Sequence, residues 1–161
     1  MKTIVLLRHA DSYSINFLEY EHEQPISVMG LLQIEQMNTI NNQIFKEIEF
    51  VLCSNTKRAR QTFQAIYQNI NSIPKFMFDD NLHQITESEL KNKIQWTPAM
   101  YNTILVVGHN PCLSQFMKSV CSTQEVLNSC ECAVLVADVN SWQEVEYNRL
   151  TIAERVNPQI K

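Results

Sequence analysis

The stretch that decides the fold is MKTIVLLRHADS, residues 1–12. Its apolar run, Ile-Val-Leu-Leu, does not alternate with polar residues, so it predicts a strand over Lys2–Leu7 that is buried on both faces, as the central strands of parallel sheets are. A guanidinium, an imidazole and a carboxylate follow almost at once, at Arg8, His9 and Asp11. Ligands of open α/β sheets bind beyond the carboxyl ends of the strands, so a binding site is expected here.

The composition is that of an acidic globular protein. The 161 residues carry a formal net charge of -4, and 45% of them are hydrophobic. We expect one domain over residues 1–156, a frayed tail over 157–161 and a monomer. The acidic balance argues against nucleic-acid binding, so an anion site would need local positive charge. No apolar run has the length of a signal-peptide core or a membrane span, which predicts a cytoplasmic protein without a membrane partner.

The five cysteines form an odd set without the spacing of a disulfide framework or a zinc site. Cys130-Glu131-Cys132 resembles a metal-binding pair only superficially. On a strand both thiols would point to the same face, so reduced core cysteines are the expected outcome. We therefore predict neither a metal nor a cofactor.

Short β-rich runs alternate with longer helix-like stretches along the chain. The predicted strands are Lys2–Leu7, Glu49–Cys53, Lys75–Phe78 and Thr103–Val107, and the predicted helices are Ser27–Phe45, Thr56–Ile70, Thr86–Gln95 and Pro111–Val120. Cys132–Val139 and Gln143–Leu150 predict a hairpin that turns at Asn140-Ser141. The pattern indicates an α/β three-layer sandwich: a mostly parallel central sheet, helices on both faces and an antiparallel element near one edge.

Three of the predicted strands end in polar residues. Arg8-His9 follows the first strand, Ser54–Arg60 the second, and Gly108-His109-Asn110 the fourth. Each stretch taken alone also fits a structural histidine or an ordinary basic helix face. Because the carboxyl ends of parallel strands share one edge of the sheet, we expect the three to converge. His22 and His83 lack such context and are predicted to be surface residues.

The converging residue types suit a phosphoryl group. Ser54 lies at a predicted helix N-terminus, where backbone N–H groups and the helix dipole favour phosphate binding. Arg58, one turn further on, offers a planar fork of donors, and His109 offers an imidazole donor. The charge of Arg8 lowers the proton affinity of His9, which keeps that imidazole neutral and nucleophilic.

Together, LLRHADS (6–12), SNTKRARQT (54–62) and VVGHNP (106–111) resemble the histidine phosphatase superfamily, which also contains the cofactor-dependent phosphoglycerate mutases. The short chain and the RHAD sequence look most similar to its SixA-like branch of phosphohistidine phosphatases, and PISVMG (25–30) is similar to a segment of that branch. The resemblance implies a phosphoglycerate-mutase-like fold and a metal-independent phosphatase. It further implies that His9 becomes a transient phosphohistidine, while Arg8, Arg58 and His109 hold the phosphoryl oxygens.

The general acid is where this chain departs from the resemblance. Many members of the superfamily have a glutamate at the position that Gln84 occupies, and an amide cannot donate a proton as an acid. Asp80 is the candidate substitute, or else a plain loop residue. An alkoxide leaving group depends on proton donation, worth roughly 10² to 10⁴ in rate, whereas an imidazole leaving group needs less help. The departure favours phosphohistidine as the substrate.

The leading hypothesis is therefore a phosphatase that acts on a phosphohistidine-bearing protein in a phosphorelay or phosphotransfer system. The segment between His9 and the first helix is too short for the lid insertions of larger relatives, and an open site suits a protein substrate. One alternative is a phosphomonoesterase with the same His9 mechanism and a small phosphorylated substrate. Another is a catalytically inactive module that binds phosphate or a phosphoprotein. A mutase is least favoured, because it needs an enclosed site.

Overall fold

A computed structural model describes residues 1–14, 18–40, 43–146 and 149–158. In this part of the chain six strands form one sheet: β1 (Lys2–Arg8), β2 (Phe50–Ser54), β3 (Lys75–Asp79), β4 (Thr103–Gly108), β5 (Cys132–Ala137) and β6 (Thr151–Val156). Their order across the sheet is β3-β2-β4-β1-β5-β6. The first four of these are mutually parallel, and β5 is antiparallel to both β1 and β6. The predicted mostly parallel sheet with an antiparallel edge is confirmed.

Helices cover both faces of the sheet. They are α1 (Val28–Ile40), α2 (Gln43–Lys46), α3 (Lys57–Ile66), α4 (Glu87–Gln95) and α5 (Cys112–Cys121), with short 3₁₀ helices at Leu18–Glu23, Tyr67–Asn69, Asp80–His83 and Trp142–Glu144. No helix within the described ranges is long and apolar enough to cross a membrane.

The apolar run of β1 forms part of two cores. Successive side chains of a strand point to opposite faces. Ile4 and Leu6 accordingly pack in the core that contains residues of α4 and α5, whereas Val5 and Leu7 pack in the core that contains residues of α1 and α3. All four side chains are at most 1% exposed. This double burial is why the run lacks polar alternation.

The predicted hairpin is wrong in its second strand. The partner of β5 is Thr151–Val156 rather than Gln143–Leu150. The residues that follow the expected turn instead form the 3₁₀ helix Trp142–Glu144, which Ser141 caps and in which Trp142 is fully buried. Its indole Nε1 donates to the backbone oxygen of Tyr101 at 2.9 Å. Residues 147–148 of that expected strand lie outside the described residues.

Two other expected boundaries also shift. The helix expected over Ser27–Phe45 is divided into α1 and α2, and residues 41–42 between them lie outside the described residues. The helix expected to reach Ile70 ends at Ile66 and continues as the short 3₁₀ helix. Of the expected frayed tail, residues 159–161 lie outside the described residues, and Pro158 is buried.

The glycine of the PISVMG segment allows α1 to pack against the loop that follows β1. A Cβ atom added to Gly30 would lie 2.2 Å from the backbone oxygen of Asp11, far inside van der Waals contact. Ser27, at the start of this helix, donates from its hydroxyl to the carboxylate of Asp11. The helix therefore supports the backbone two residues beyond His9.

Candidate active site

The structure brings the three strand ends together. His9 follows β1, His109 follows β4, and their ring centroids are 4.8 Å apart. Arg58, in the first turn of α3, donates from Nε to Nε2 of His9 at 3.3 Å. With Arg8, these residues line one cavity of about 350 Å³. The expected convergence is confirmed, while the chemical roles of the four residues stay predictions.

The geometry of His9 leaves one ring nitrogen able to react. Nδ1 lies 2.7 Å from the backbone oxygen of Ala10 and donates its proton there, so Nε2 carries the lone pair. Burial lowers the pKa of His9 to about 4; the hydrogen bond to Ala10 acts against this decrease, and the charges of Arg58 and Arg8 add smaller decreases. The imidazole is therefore neutral at pH 7. From the sequence we expected the charge of Arg8 to keep this imidazole neutral, but burial is the larger cause.

His109 is held from behind by two hydroxyl groups. Its Nε2 lies 2.8 Å from the Ser54 hydroxyl and 3.2 Å from that of Thr56, and the residue is 5% exposed. When these hydroxyls donate to Nε2, the proton is on Nδ1, which is buried and has no protein partner. Burial first, then the charges of His9 and Arg58, lower the pKa of His109 to about 2.

Ser54 has a different contact from the predicted one. We expected it to bind phosphate, but it is fully buried and does not line the cavity. Its hydroxyl instead orients His109. The physical cause is the position of Ser54, which is the last residue of β2 rather than part of the loop that follows it. Its side chain is buried inside the protein and does not project from the strand end.

The two arginines supply the positive charge. Arg8 donates from Nη1 to the backbone oxygen of Leu127 at 3.1 Å, and its Nε is buried without a partner. Arg58 is 5% exposed. Burial lowers the pKa of both guanidinium groups, which nevertheless stay protonated at neutral pH. Buried donors without partners are rare in folded proteins. Here both residues that carry such a donor, Arg8 with its Nε and His109 with its Nδ1, line one cavity, which suits an oxyanion.

His83 belongs to this site, and its prediction as a surface residue is wrong. Its side chain is 7% exposed, and its ring centroid lies 5.1 Å from that of His109. Nε2 lies 3.0 Å from Oε1 of Glu21 and 3.2 Å from Nη2 of Arg58. Burial is the largest influence on the pKa of His83 and lowers it. His22 is exposed, as predicted.

Glu21 is the other residue that sequence reasoning missed. It lies on the 3₁₀ helix Leu18–Glu23, and its side chain is 38% exposed. Its backbone oxygen accepts from Nη1 of Arg58 at 2.6 Å, and its Oε1 lies 3.6 Å from Nη2. The short segment between β1 and α1 therefore delivers a carboxylate to the cavity. No motif spacing indicated this contact.

Gln84 and Asp80, the two positions considered for the general acid, differ in their distance from the candidate active site. Gln84 lines the cavity that contains His9, whereas Asp80 does not. Asp80 lines an adjoining cavity of about 670 Å³, which His83 and Gln84 also line. Its carboxylate accepts from Nδ2 of Asn55 at 2.8 Å. The role of Asp80 as an acid stays a prediction without a direct contact to support it.

The cysteines and the possible metal ligands lie apart from this chemistry. All five cysteines have free thiols, and Cys130 and Cys132 pack in the same core cluster. Burial raises the pKa of Cys130 to about 12. Over the described part of the chain, no three His, Cys, Asp or Glu side chains are grouped to hold a metal ion.

Comparisons with known proteins agree with this architecture. No protein-family model matches the chain. The chain is 25% identical over 152 residues to an uncharacterized chloroplastic protein from Arabidopsis thaliana, a match that covers 89% of this chain and 70% of the relative. The fold is similar to that of SixA from Agrobacterium tumefaciens, a proposed phosphohistidine phosphatase, with a TM-score of 0.81, 17% identity and 98% of both chains covered. It is also similar to that of the protein histidine phosphatase SixA complexed with tungstate, with a TM-score of 0.72, 18% identity and 97% of both chains covered. The chain thus has the histidine phosphatase superfamily fold.

Proposed function

We propose that this chain is a phosphatase that forms a covalent phosphohistidine on His9, and that its substrate is a phosphohistidine-bearing protein. The observation that carries the proposal is the state of His9. Its Nε2 has a lone pair, lies in a cavity beside the guanidinium of Arg58, and belongs to a ring that is neutral at pH 7. Such a nitrogen is a competent nucleophile towards phosphorus.

The reaction proceeds in two displacements. Nε2 of His9 attacks phosphorus, the bond from phosphorus to the donor's ring nitrogen breaks, and its electron pair stays on the departing imidazole. Water then attacks phosphorus of phosphorylated His9, which releases inorganic phosphate and restores the imidazole. Arg8, Arg58 and Nδ1 of His109 donate hydrogen bonds to the phosphoryl oxygens in both steps. Phosphoryl transfer has a loose transition state, so fixed donors of this kind provide most of the catalysis.

The substrate class rests on the leaving group. Gln84 lines the cavity and has no acidic proton. An alkoxide must gain a proton as it departs, whereas the ring of a phosphohistidine can carry its proton before the reaction begins. A protein histidine phosphatase of the same fold supports this choice. A cytoplasmic location stays a prediction.

The test is to trap the intermediate. The purified protein is mixed with a phosphohistidine-bearing domain, quenched at alkaline pH and analysed by intact mass. We expect release of inorganic phosphate and one phosphoryl group on His9, with both lost in His9→Ala. A panel of small phosphate esters is assayed in parallel. Higher kcat/KM for the esters than for the phosphoprotein would contradict the protein substrate, and binding without turnover would indicate a non-catalytic module.

A further inference from the structure

The carboxylate of Glu21 is out of place in a site for phosphate alone. It lines the same cavity as His9, Arg58 and His109, and its side chain is 38% exposed to solvent. A carboxylate repels a phosphoryl dianion, and the backbone oxygen of the same residue takes the Nη1 donor of Arg58 that could otherwise bind a phosphoryl oxygen. Its place in the cavity therefore calls for a positive group on the ligand.

The contacts of Glu21 hold it at a defined point. Oε1 accepts from Nε2 of His83 at 3.0 Å and lies 3.6 Å from Nη2 of Arg58. Burial favours the neutral form of His83 by lowering its pKa. A neutral imidazole can donate one hydrogen bond to the carboxylate without cancelling its charge. Glu21 is thus oriented by His83.

The guanidinium of Arg58 relates Glu21 to the nucleophile. Its Nε faces Nε2 of His9 at 3.3 Å, whereas its Nη1 faces the backbone oxygen of Glu21 at 2.6 Å. His9 and the backbone oxygen of Glu21 therefore contact different nitrogens of one planar group, and the carboxylate of Glu21 lies 3.6 Å from the third, Nη2. In an in-line displacement the leaving group departs on the side of phosphorus opposite to the nucleophile. The leaving group therefore departs into the part of the cavity away from His9, and Glu21 is the carboxylate-bearing residue among those that line the cavity.

We propose that Glu21 accepts a hydrogen bond from the protonated ring of the substrate's phosphohistidine, and so selects a phosphoryl group borne by a cationic ring over one borne by the uncharged alcohol part of a phosphate ester. This inference rests on the proposed phosphatase function. The ring nitrogen that is not bonded to phosphorus keeps its proton throughout. When the phosphorus–nitrogen bond breaks, the electron pair stays on the departing nitrogen and a neutral imidazole leaves. No further acid is needed, in agreement with Gln84.

The charges in the cavity agree with this assignment. Two guanidinium groups match the two negative charges of a phosphoryl group, and His9 is neutral. A carboxylate leaves that balance one positive charge short. A phosphoimidazolium supplies the missing charge, and a phosphate ester does not.

Glu21→Gln is the informative variant, because glutamine keeps the size of the side chain and removes its charge. The substrates are a phosphohistidine peptide and p-nitrophenyl phosphate, whose leaving group departs without a proton. We expect kcat/KM for the peptide to fall about 10- to 100-fold, the scale of one hydrogen bond to a charged group. We expect kcat/KM for the aryl ester to stay the same or to rise. Glu23→Gln, an exposed carboxylate on the same 3₁₀ helix, should leave both values unchanged.

The pH profile gives a second readout. Glu21 keeps the ring of the bound substrate protonated, so the loss of kcat in Glu21→Gln should grow between pH 6 and pH 8.5, as the ring bound to the variant loses that proton while the ring bound to the wild type keeps it. The charged and titratable groups that face Glu21 are Arg58 and His83, while His22 contacts His83. Arg8, His9 and His109 line the same cavity. These three residues are the same in the wild type and in Glu21→Gln, so their titration affects both proteins alike.

Four outcomes contradict the inference. An equal loss for both substrates would mean that Glu21 only positions Arg58. An equal gain would mean that it competes with phosphate for Arg58. No change for either substrate would mean that Glu21 takes no part in the mechanism. If Asp80→Asn, and not Glu21→Gln, lowered kcat/KM for the peptide alone, then Asp80 would be the residue that selects the leaving group. If wild-type protein forms no phosphorylated His9, the proposed function fails and this inference falls with it, whereas an intact intermediate with an unaffected Glu21→Gln refutes the inference alone.

Discussion

The two buried histidines predict that the folded protein loses stability in mild acid. Burial lowers the pKa of His9 to about 4 and that of His109 to about 2. A histidine in the unfolded chain has a pKa near 6.5. Between these values the unfolded state binds more protons than the folded state. The stabilising contribution of each histidine is therefore complete above about pH 6.5 and decreases as the pH falls.

The size of the effect follows from the same values. Between pH 7 and pH 5, each histidine that titrates only in the unfolded state removes about 2 kcal/mol from the free energy of unfolding, so the pair removes about 4 kcal/mol. His83, whose pKa burial also lowers, acts in the same direction. The total is a large part of the 5–15 kcal/mol typical of a domain. Below about pH 4 the contribution of His9 levels off, because the folded state then binds the proton too.

The assay is urea unfolding at pH 7, 6 and 5, followed by fluorescence of the buried Trp142. His109→Gln should show a decrease between pH 7 and pH 5 that is about 2 kcal/mol smaller than that of the wild type. Comparing two pH values within each variant cancels any direct destabilisation by the substitution. His22→Gln removes an exposed histidine and should keep the wild-type decrease. A full decrease in His109→Gln would refute the assignment of acid sensitivity to this buried ring.

Three further predictions concern packing and turnover. Gly30→Ala should destabilise the fold by roughly 1–3 kcal/mol in urea unfolding, because the new Cβ would overlap the backbone oxygen of Asp11; unchanged stability would contradict the close approach. Arg58→Ala and His109→Ala should each reduce kcat by about 10² or more, and near-normal rates would mean a wrongly assigned pocket. Ser54→Ala should reduce kcat about tenfold through loss of a hydrogen bond that orients His109, and an unchanged kcat would make that contact incidental.

The fold was largely predictable because the polar residues of the candidate site directly follow the apolar runs that form the strands. The four parallel strands are short apolar runs, and three of them are followed directly by polar residues. Parallel strands bring their carboxyl ends to one edge, so Arg8, His9, Arg58 and His109 had to approach one another. The distance between the two catalytic candidates, 4.8 Å between ring centroids, is a consequence of this topology.

The last strand was not predictable from local pattern. Residues 143–150 alternate in a way that suits a strand, but the adjacent Trp142 is buried in the core beside α4 and α5. Gln95 of α4 donates to the backbone oxygen of Val145 at 2.9 Å, which fixes the described residues 143–146 outside the sheet. Packing against a helix that is distant in sequence therefore overrides local strand propensity, and β6 begins only at Thr151.

Glu21 and His83 escaped prediction for an electrostatic reason. Positive charges in the sequence indicate an anion site. Arg8 and Arg58 therefore stand out, whereas the carboxylate of Glu21 does not. The contact between Glu21 and His83 also joins residues 62 positions apart, which no local spacing indicates. A phosphorylated side chain has two parts, an anionic phosphoryl group and the group that bears it. The arginines match the anionic phosphoryl group. A carboxylate beside them, such as that of Glu21, is suited to select the group that bears it.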